Sequence, residues 1–193
     1  ENELAQSACA NQAQFVKYWM HNGMLTFGGE KMSKSLGNIE TIRALLGRHN
    51  GEVLRFALLS GQYRSSLSWS DEQIEQAKSA IDRLYQALRV SDGGSRLTDD
   101  TGSIKWTDIP ESVQAPLEDD LNTPGAIAAL HAFASQIHKT EDPQKLAELH
   151  DAILRGGAIM GILQQDPERW FQAGSNMATE KIEALIEARN KAR

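Results

Sequence analysis

Ser70-Asp71-Glu72-Gln73-Ile74-Glu75-Gln76-Ala77-Lys78-Ser79-Ala80-Ile81-Asp82-Arg83-Leu84-Tyr85-Gln86-Ala87-Leu88 decides how the chain is read. It opens with the Ser-x-x-Gln form of a capping box. Its apolar residues Ile74, Ala77, Ile81, Leu84, Tyr85 and Leu88 recur at helical spacing, which predicts a helix with one buried face. Downstream, Ser91-Asp92-Gly93-Gly94-Ser95 breaks that helix, and the polar stretch to Asp108 reads as a loop or linker. Helical patterning then resumes. Thr123-Pro124 predicts an N-cap with a first-turn proline ahead of the stripe Ile127, Leu130, Ala134 and Ile137. Asp142-Pro143 repeats the device for Leu146, Leu149, Ile153 and Leu154, and Gly156-Gly157 marks a break or a close helix contact before Ile159 to Leu163. A last segment from Thr179 carries a thin stripe, Ile182, Leu185 and Ile186, and predicts further chain beyond Arg193.

Upstream the patterning changes. Leu4 to Gln14 is alanine-rich and compatible with a helix, whereas Phe15 to Phe27 is rich in β-formers and reads as extended chain ending at the Gly28-Gly29 turn. Thr41 is a plausible N-cap for a helix with Ile42, Leu45 and Leu46 on one face, closed by Asn50-Gly51. A second helix would turn Val53, Leu54, Ala57 and Leu58 inward and end at Gly61. The expected fold is mostly α, with a small α/β edge followed by helical bundles.

The chain has 193 residues, 40% of them hydrophobic, enough for packed cores. Nothing approaches the ~20 consecutive apolar residues of a membrane span, and Glu1-Asn2-Glu3 does not resemble a signal peptide, so the cytoplasm is the expected compartment. One cysteine, Cys9, rules out an intrachain disulfide and a Cys-x-x-Cys metal knuckle; it reads as a small buried apolar residue. Net charge is -6, unevenly spread: residues 1–90 hold 10 Lys and Arg against 9 Asp and Glu, and 91–193 hold 10 against 17. Any contact with RNA must therefore come from a local patch, for which Arg43, Arg48, Arg55 and Arg64 are candidates.

The run with the most specific chemistry is Glu30-Lys31-Met32-Ser33-Lys34-Ser35-Leu36-Gly37-Asn38. Lys31 and Lys34 supply mobile point charges for phosphate oxygens, Ser33 and Ser35 supply hydroxyl donors, and Gly37 lets backbone amides face an anion. Such a loop should grip a polyphosphate. A solvated Lys/Ser turn is the plain alternative.

Lys31-Met32-Ser33-Lys34-Ser35 resembles the signature loop of class I aminoacyl-tRNA synthetases. The flanks Tyr18-Trp19-Met20-His21-Asn22-Gly23-Met24 and Leu54-Arg55-Phe56-Ala57-Leu58-Leu59-Ser60-Gly61-Gln62-Tyr63-Arg64-Ser65 narrow this to a resemblance to the cysteinyl-tRNA synthetases. The resemblance implies four parts: residues 1–39 as the C-terminal edge of a Rossmann-type catalytic domain, 40–92 as a stem-contact helical region, 93–108 as a linker, and 109–193 as a DALR-type helical domain. It implies an ATP-dependent ligase that activates L-cysteine and passes it to tRNA(Cys), with Mg2+ accompanying ATP, acting as a monomer. Lys31 and Lys34 would be its catalytic cations, and Met32, Ser33 and Ser35 would complete the ATP-binding loop. In that chemistry negative charge builds on the phosphate oxygens and on the leaving pyrophosphate, so positioned cations lower the barrier.

The family also selects cysteine through zinc, and Glu3 matches the last ligand of its His-His-Glu-Asn-Glu segment; the other ligands are absent from this chain. The family's His-x-Gly-His segment has no counterpart either, since His21-Asn22-Gly23-Met24 is not one. These departures predict a C-terminal portion of a larger synthetase that does not activate cysteine by itself. His21 could be a packed residue or a ligand-binding one. His131, His138 and His150 read as structural or surface groups, the four tryptophans as core, and Glu118-Asp119-Asp120 as carboxylates near a helix start. Two rival readings stay open: the cysteine-adenylating ligase of mycothiol synthesis, and a non-catalytic helical module that binds RNA or protein.

Overall fold

A computed structural model describes residues 2–11, 14–27, 30–31, 40–91 and 104–173. The order is α1 (Asn2–Asn11), β1 (Leu25–Phe27), β2 (Glu30–Lys31), α2 (Ile42–Leu46), α3 (Gly51–Leu59), β3 (Leu67–Trp69), α4 (Asp71–Val90), a 3-10 turn Trp106–Asp108, α5 (Glu111–Glu118), α6 (Thr123–Ile137), α7 (Pro143–Met160) and α8 (Pro167–Ala173). Helices dominate and the sheet is small, as the sequence predicts.

α4 is the spine. Ser70 Oγ accepts a hydrogen bond from the Gln73 amide at 3.3 Å and starts the helix. Ile74, Ala77, Ile81, Leu84, Tyr85 and Leu88 are all buried, as their spacing requires, together with Ala87. Each large apolar side chain removed from water contributes about 1.5–3 kcal/mol, so this face outweighs any local propensity. It packs against α3, α6, α7 and α8. On the other side α5, α6 and α7 pack in sequence order, with Val113, Leu130, Ile137 and Ile153 fully buried between them. α7 runs unbroken through Gly156-Gly157, which settles the two readings of that pair: a Cβ on Gly156 would lie 2.7 Å from Leu130 Cδ2, so the glycine permits a close helix contact. α7 ends at Gly161, in the left-handed conformation.

Several expectations are corrected. α2 is only five residues long and one face of it can reach the core: Leu45 is buried while Ile42 and Leu46 are exposed. Asn50 does not close α2. Gly47 does, and Asn50 Oδ1 instead caps α3 by accepting from the Glu52 amide at 2.8 Å. On α3, Phe56 is buried where Leu58 had been expected, and Leu58 is exposed. α6 is capped by Asn122, whose Oδ1 accepts from the Gly125 amide, which makes Thr123 its first residue rather than its cap. Only Leu25–Phe27 of the extended segment pairs as a strand; Tyr18, Trp19, Met20 and Met24 are exposed. α1 buries none of its residues, so Cys9 is exposed rather than packed. Trp69 and Trp170 belong to the core, but Trp19 and Trp106 are exposed. The segment from Thr179 and most of the polar stretch after Ser91 lie outside the described residues.

Candidate phosphate-binding site

The site is built on a three-stranded sheet of order β2-β1-β3. β1 pairs antiparallel with β2, placing Thr26 opposite Lys31 and Phe27 opposite Glu30. It pairs parallel with β3, matching Leu25, Thr26 and Phe27 to Leu67, Ser68 and Trp69. A parallel pair needs a crossover, and α2 and α3 supply it. Lys31 is thus the last residue of an edge strand. The chain is described again at Glu40, which pairs with Arg48, and at Thr41, whose Oγ1 accepts from the Ala44 amide at 3.2 Å to cap α2 as predicted. Both ends of the lysine loop are anchored, one on the sheet and one on a capped helix. Met32, Ser33, Lys34 and Ser35 lie outside the described residues.

The entry to β1 is held from behind. The Gly23 amide donates to the Tyr63 carbonyl at 2.6 Å, and the Leu67 amide donates to the Met24 carbonyl at 2.9 Å. A Cβ on Gly23 would collide with the Ser65 carbonyl, so this crossing of two backbones requires glycine. The Gln62–Ser65 turn is in turn gripped by the connection between α5 and α6. Tyr63 donates its hydroxyl to Asp120 Oδ1 at 2.8 Å, Arg64 donates Nε to Oδ2 at 2.7 Å and a terminal nitrogen to Oδ1 at 3.0 Å, and Gln62 Nε2 donates to the Asp120 carbonyl at 3.1 Å. The Arg64 guanidinium also lies 5.1 Å from the Tyr63 ring centroid. These bonds, that from Arg64 first and that from Tyr63 second, hold the Asp120 carboxyl below its usual range; bonding to Asp120 likewise raises Tyr63 and Arg64. Asp120 and Leu121 both have left-handed backbones, with φ of 52° and 53°. Each such non-glycine residue costs about 1–2 kcal/mol, so the neighbouring contacts must hold the turn in place. Thr123 adds one, donating Oγ1 to the Leu59 carbonyl at 2.7 Å.

The other predicted residues are scattered. Glu3 lies on exposed α1, and among the described residues no group of three or more His, Cys, Asp and Glu side chains could hold a metal. Glu3 by itself makes no zinc site, since a four-coordinate metal needs more than one carboxylate. His21 is exposed and stacks on Trp19, centroids 6.3 Å apart. His150 is buried with its Nδ1 2.8 Å from Ser91 Oγ, and His131 meets Phe56 edge to face, so both are structural groups as expected. Of the arginines considered for RNA, Arg48 and Arg64 are engaged by Glu40 and Asp120. The acidic run lies just before α6, near a helix start as expected, but its carboxylates bond elsewhere: Glu118 ends α5 and accepts from Trp106 Nε1 at 3.0 Å, while Asp120 bonds across 56 residues to Arg64. No local pattern marks the Tyr63–Arg64–Asp120 cluster, because its members are 56 and 57 residues apart.

The family model of the tRNA synthetases class I (C) catalytic domain matches residues 1–79, which include the sheet and the lysine loop, and that of the DALR domain matches residues 112–164, which include α6 and α7. A class I synthetase catalytic edge joined to a DALR helical domain is the class of protein these features define. Curated relatives called cysteine–tRNA ligase align with the whole chain: those of Xanthomonas axonopodis pv. citri and Haemophilus influenzae strain 86-028NP are each 45% identical, and that of Xanthomonas campestris pv. campestris is 47% identical. Along its whole length the chain is similar to proteins called cysteine–tRNA ligase. It spans 41–43% of the length of these relatives.

Proposed function

We propose that the chain serves as part of a cysteine–tRNA ligase, in which Lys31 and Lys34 hold the phosphates of ATP while L-cysteine is activated and then transferred to tRNA(Cys). The observation that carries this reading is Lys31 at the end of an edge strand with Lys34 three residues beyond it, in a chain similar throughout to proteins called cysteine–tRNA ligase. Lys31 and Lys34 would neutralise charge that builds on the phosphate oxygens as pyrophosphate leaves, with Met32, Ser33 and Ser35 completing the loop and Mg2+ accompanying ATP. Loss of one such donor typically lowers the rate by ~100 to 1,000-fold.

Glu3 would contribute one carboxylate to a zinc site whose remaining ligands come from outside this chain; zinc there would favour a thiolate over a hydroxyl. The division into catalytic edge, stem-contact region, linker and DALR-type domain, with boundaries at 39, 92 and 108, belongs to the same reading, as do a cytoplasmic location and a monomeric state. The test is cysteine-dependent exchange of pyrophosphate into ATP, using a chimera in which the preceding part of the Haemophilus influenzae relative is joined to this chain. Exchange that collapses in Lys34→Ala, with cysteine-over-serine selection weakened in Glu3→Ala, is the expected result. Exchange by the 193-residue chain alone would overturn the view that it needs that preceding part, and a chimera inactive despite being folded would overturn the ligase reading.

A further inference from the structure

The geometry points to Asp120 as a positioning residue for the sheet that carries Lys31, acting through Tyr63 and Arg64. Its consequence for ATP rests on the function proposed above; the mechanical link does not. The link has four steps. Asp120 receives Tyr63, Arg64 and Gln62 through four hydrogen bonds. The Tyr63 carbonyl receives the Gly23 amide, and the Ser65 carbonyl lies against Gly23 so closely that no side chain fits. Two residues beyond Gly23, Leu25 begins β1, and Thr26 of β1 pairs with Lys31. The link therefore runs from the DALR-matching segment into the segment matching the catalytic domain, from residue 120 to residue 31.

Three features make Asp120 more than a surface ion pair. An isolated exposed pair has little influence because both side chains are free to move. Here one carboxylate engages two of the three guanidinium nitrogens of Arg64 and a phenol, a bidentate geometry that fixes direction as well as distance. Its own backbone carbonyl is engaged as well, and its left-handed backbone, followed by a left-handed Leu121, aims the carboxylate back across the turn. The sheet, for its part, has only three, two and three residues in its strands, too few to set its own position without such support.

The test compares Asp120→Asn, Asp120→Gly and Asp120→Ala in the 193-residue chain. Asparagine tolerates the left-handed backbone but removes the charge, and glycine relieves the backbone while removing the side chain. The main readout is hydrogen exchange at the Gly23 and Leu67 amides, with those of Ile81 and Leu84 in α4 as internal controls. The expected result is a fall in protection of about tenfold or more at Gly23 and Leu67 in the Gly and Ala variants and a smaller fall in Asn, with the α4 amides changing less than about twofold. If Asp120 only shapes the turn, Asp120→Gly leaves Gly23 and Leu67 as protected as in the parent chain, and the inference is overturned. It is equally overturned if the α4 amides lose protection to the same extent, because the effect is then global. Titration with ATP separates the two proposals. Binding weakened several-fold in Asp120→Asn extends the inference to the lysine loop, and unchanged ATP affinity despite lost protection at Gly23 refutes that extension. No ATP binding by any form, with the exchange pattern as expected, counts against the isolated loop as an ATP site and leaves the mechanical link standing.

Discussion

Glu52→Ala should be among the most damaging single changes outside the apolar core. The Glu52 carboxylate joins three elements: Oε1 accepts from the Tyr85 hydroxyl at 2.8 Å and from the Leu163 amide, and Oε2 accepts from Gln165 Nε2 at 3.0 Å. Tyr85 is fully buried and stacks on Trp170 with centroids 4.3 Å apart, so its hydroxyl has no ready access to water. Burial, and secondarily the Glu52 charge, push the Tyr85 phenol far above its usual range. Leu163 has a left-handed backbone, φ 61°, and a buried side chain. Hydrogen bonds to a charged acceptor contribute about 1.5–3 kcal/mol each. Counting the Tyr85 and Leu163 bonds, and ignoring the exposed Gln165 bond, gives ~3–6 kcal/mol. Release of the glutamate side chain returns about 1–2 kcal/mol of entropy, leaving a net loss of ~1–5 kcal/mol. The assay is urea unfolding followed by far-UV circular dichroism, with Glu52→Gln as the control because it keeps an acceptor oxygen for Tyr85. A Glu52→Ala loss below about 1 kcal/mol, or a Gln variant as damaged as the Ala variant, would refute the assignment of stability to this carboxylate.

Gly156→Ala should lower the urea midpoint even though alanine is the better helix former. The propensity gain is ~1 kcal/mol, but the new methyl meets Leu130 Cδ2 at 2.7 Å and Val113 Cγ2 at 3.2 Å, both on fully buried residues, and overpacking costs about 1–3 kcal/mol. A midpoint equal to or above that of the parent chain would show that the α5–α6–α7 contact can relax. For His131, burial first and the nearby Arg83 second lower the imidazole pKa in the folded state. The unfolded chain therefore binds more protons, and stability should be constant above about pH 6.5 and fall as the pH drops below it. His131→Gln should flatten that decline in thermal melts, and identical pH profiles would contradict the assignment.

The parts of this fold legible in the sequence are those whose cause is local. α4 was readable because its apolar spacing and its Ser70 cap both lie within one stretch of chain, and Asp142-Pro143 announced α7 for the same reason. The exposure of Leu58, Ile42 and Cys9 is not readable: an apolar residue on a short helix, or on a helix that buries none of its residues, carries the same local signal as a buried one. Asp120 lies near the start of α6 as its sequence context implies, but its partner is not legible there, because the charge is local and Arg64 is 56 residues away. The lysine loop is the converse case, in which chemistry was legible from residue types alone. Its neighbours in space, Gly23 and the Gln62–Ser65 turn, became visible only with the sheet register.

The two carboxylate joints have a shared consequence. Glu52 ties the first turn of α3 to the chain that follows α7, while Thr123 and Asp120 tie the end of α3 and the following turn to the connection between α5 and α6. α3 is thus held at both ends by the segment matching the DALR domain, and it is the crossover that carries β3 back beside β1. A sheet this short draws little from its own ladder, so its geometry should depend on the helices that hold α3. Shortening the chain to residues 1–91 would remove both joints and uncover the part of α4 that packs on α6 and α7. Such a chain should retain helical circular dichroism from α3 and α4 but lose exchange protection at the Gly23 and Leu67 amides and bind a hydrophobic dye, the behaviour of a compact state without fixed packing. Parent-like protection at those two amides in the 1–91 chain would show that the sheet and α3 hold each other without the bundle, and that neither joint governs the position of Lys31.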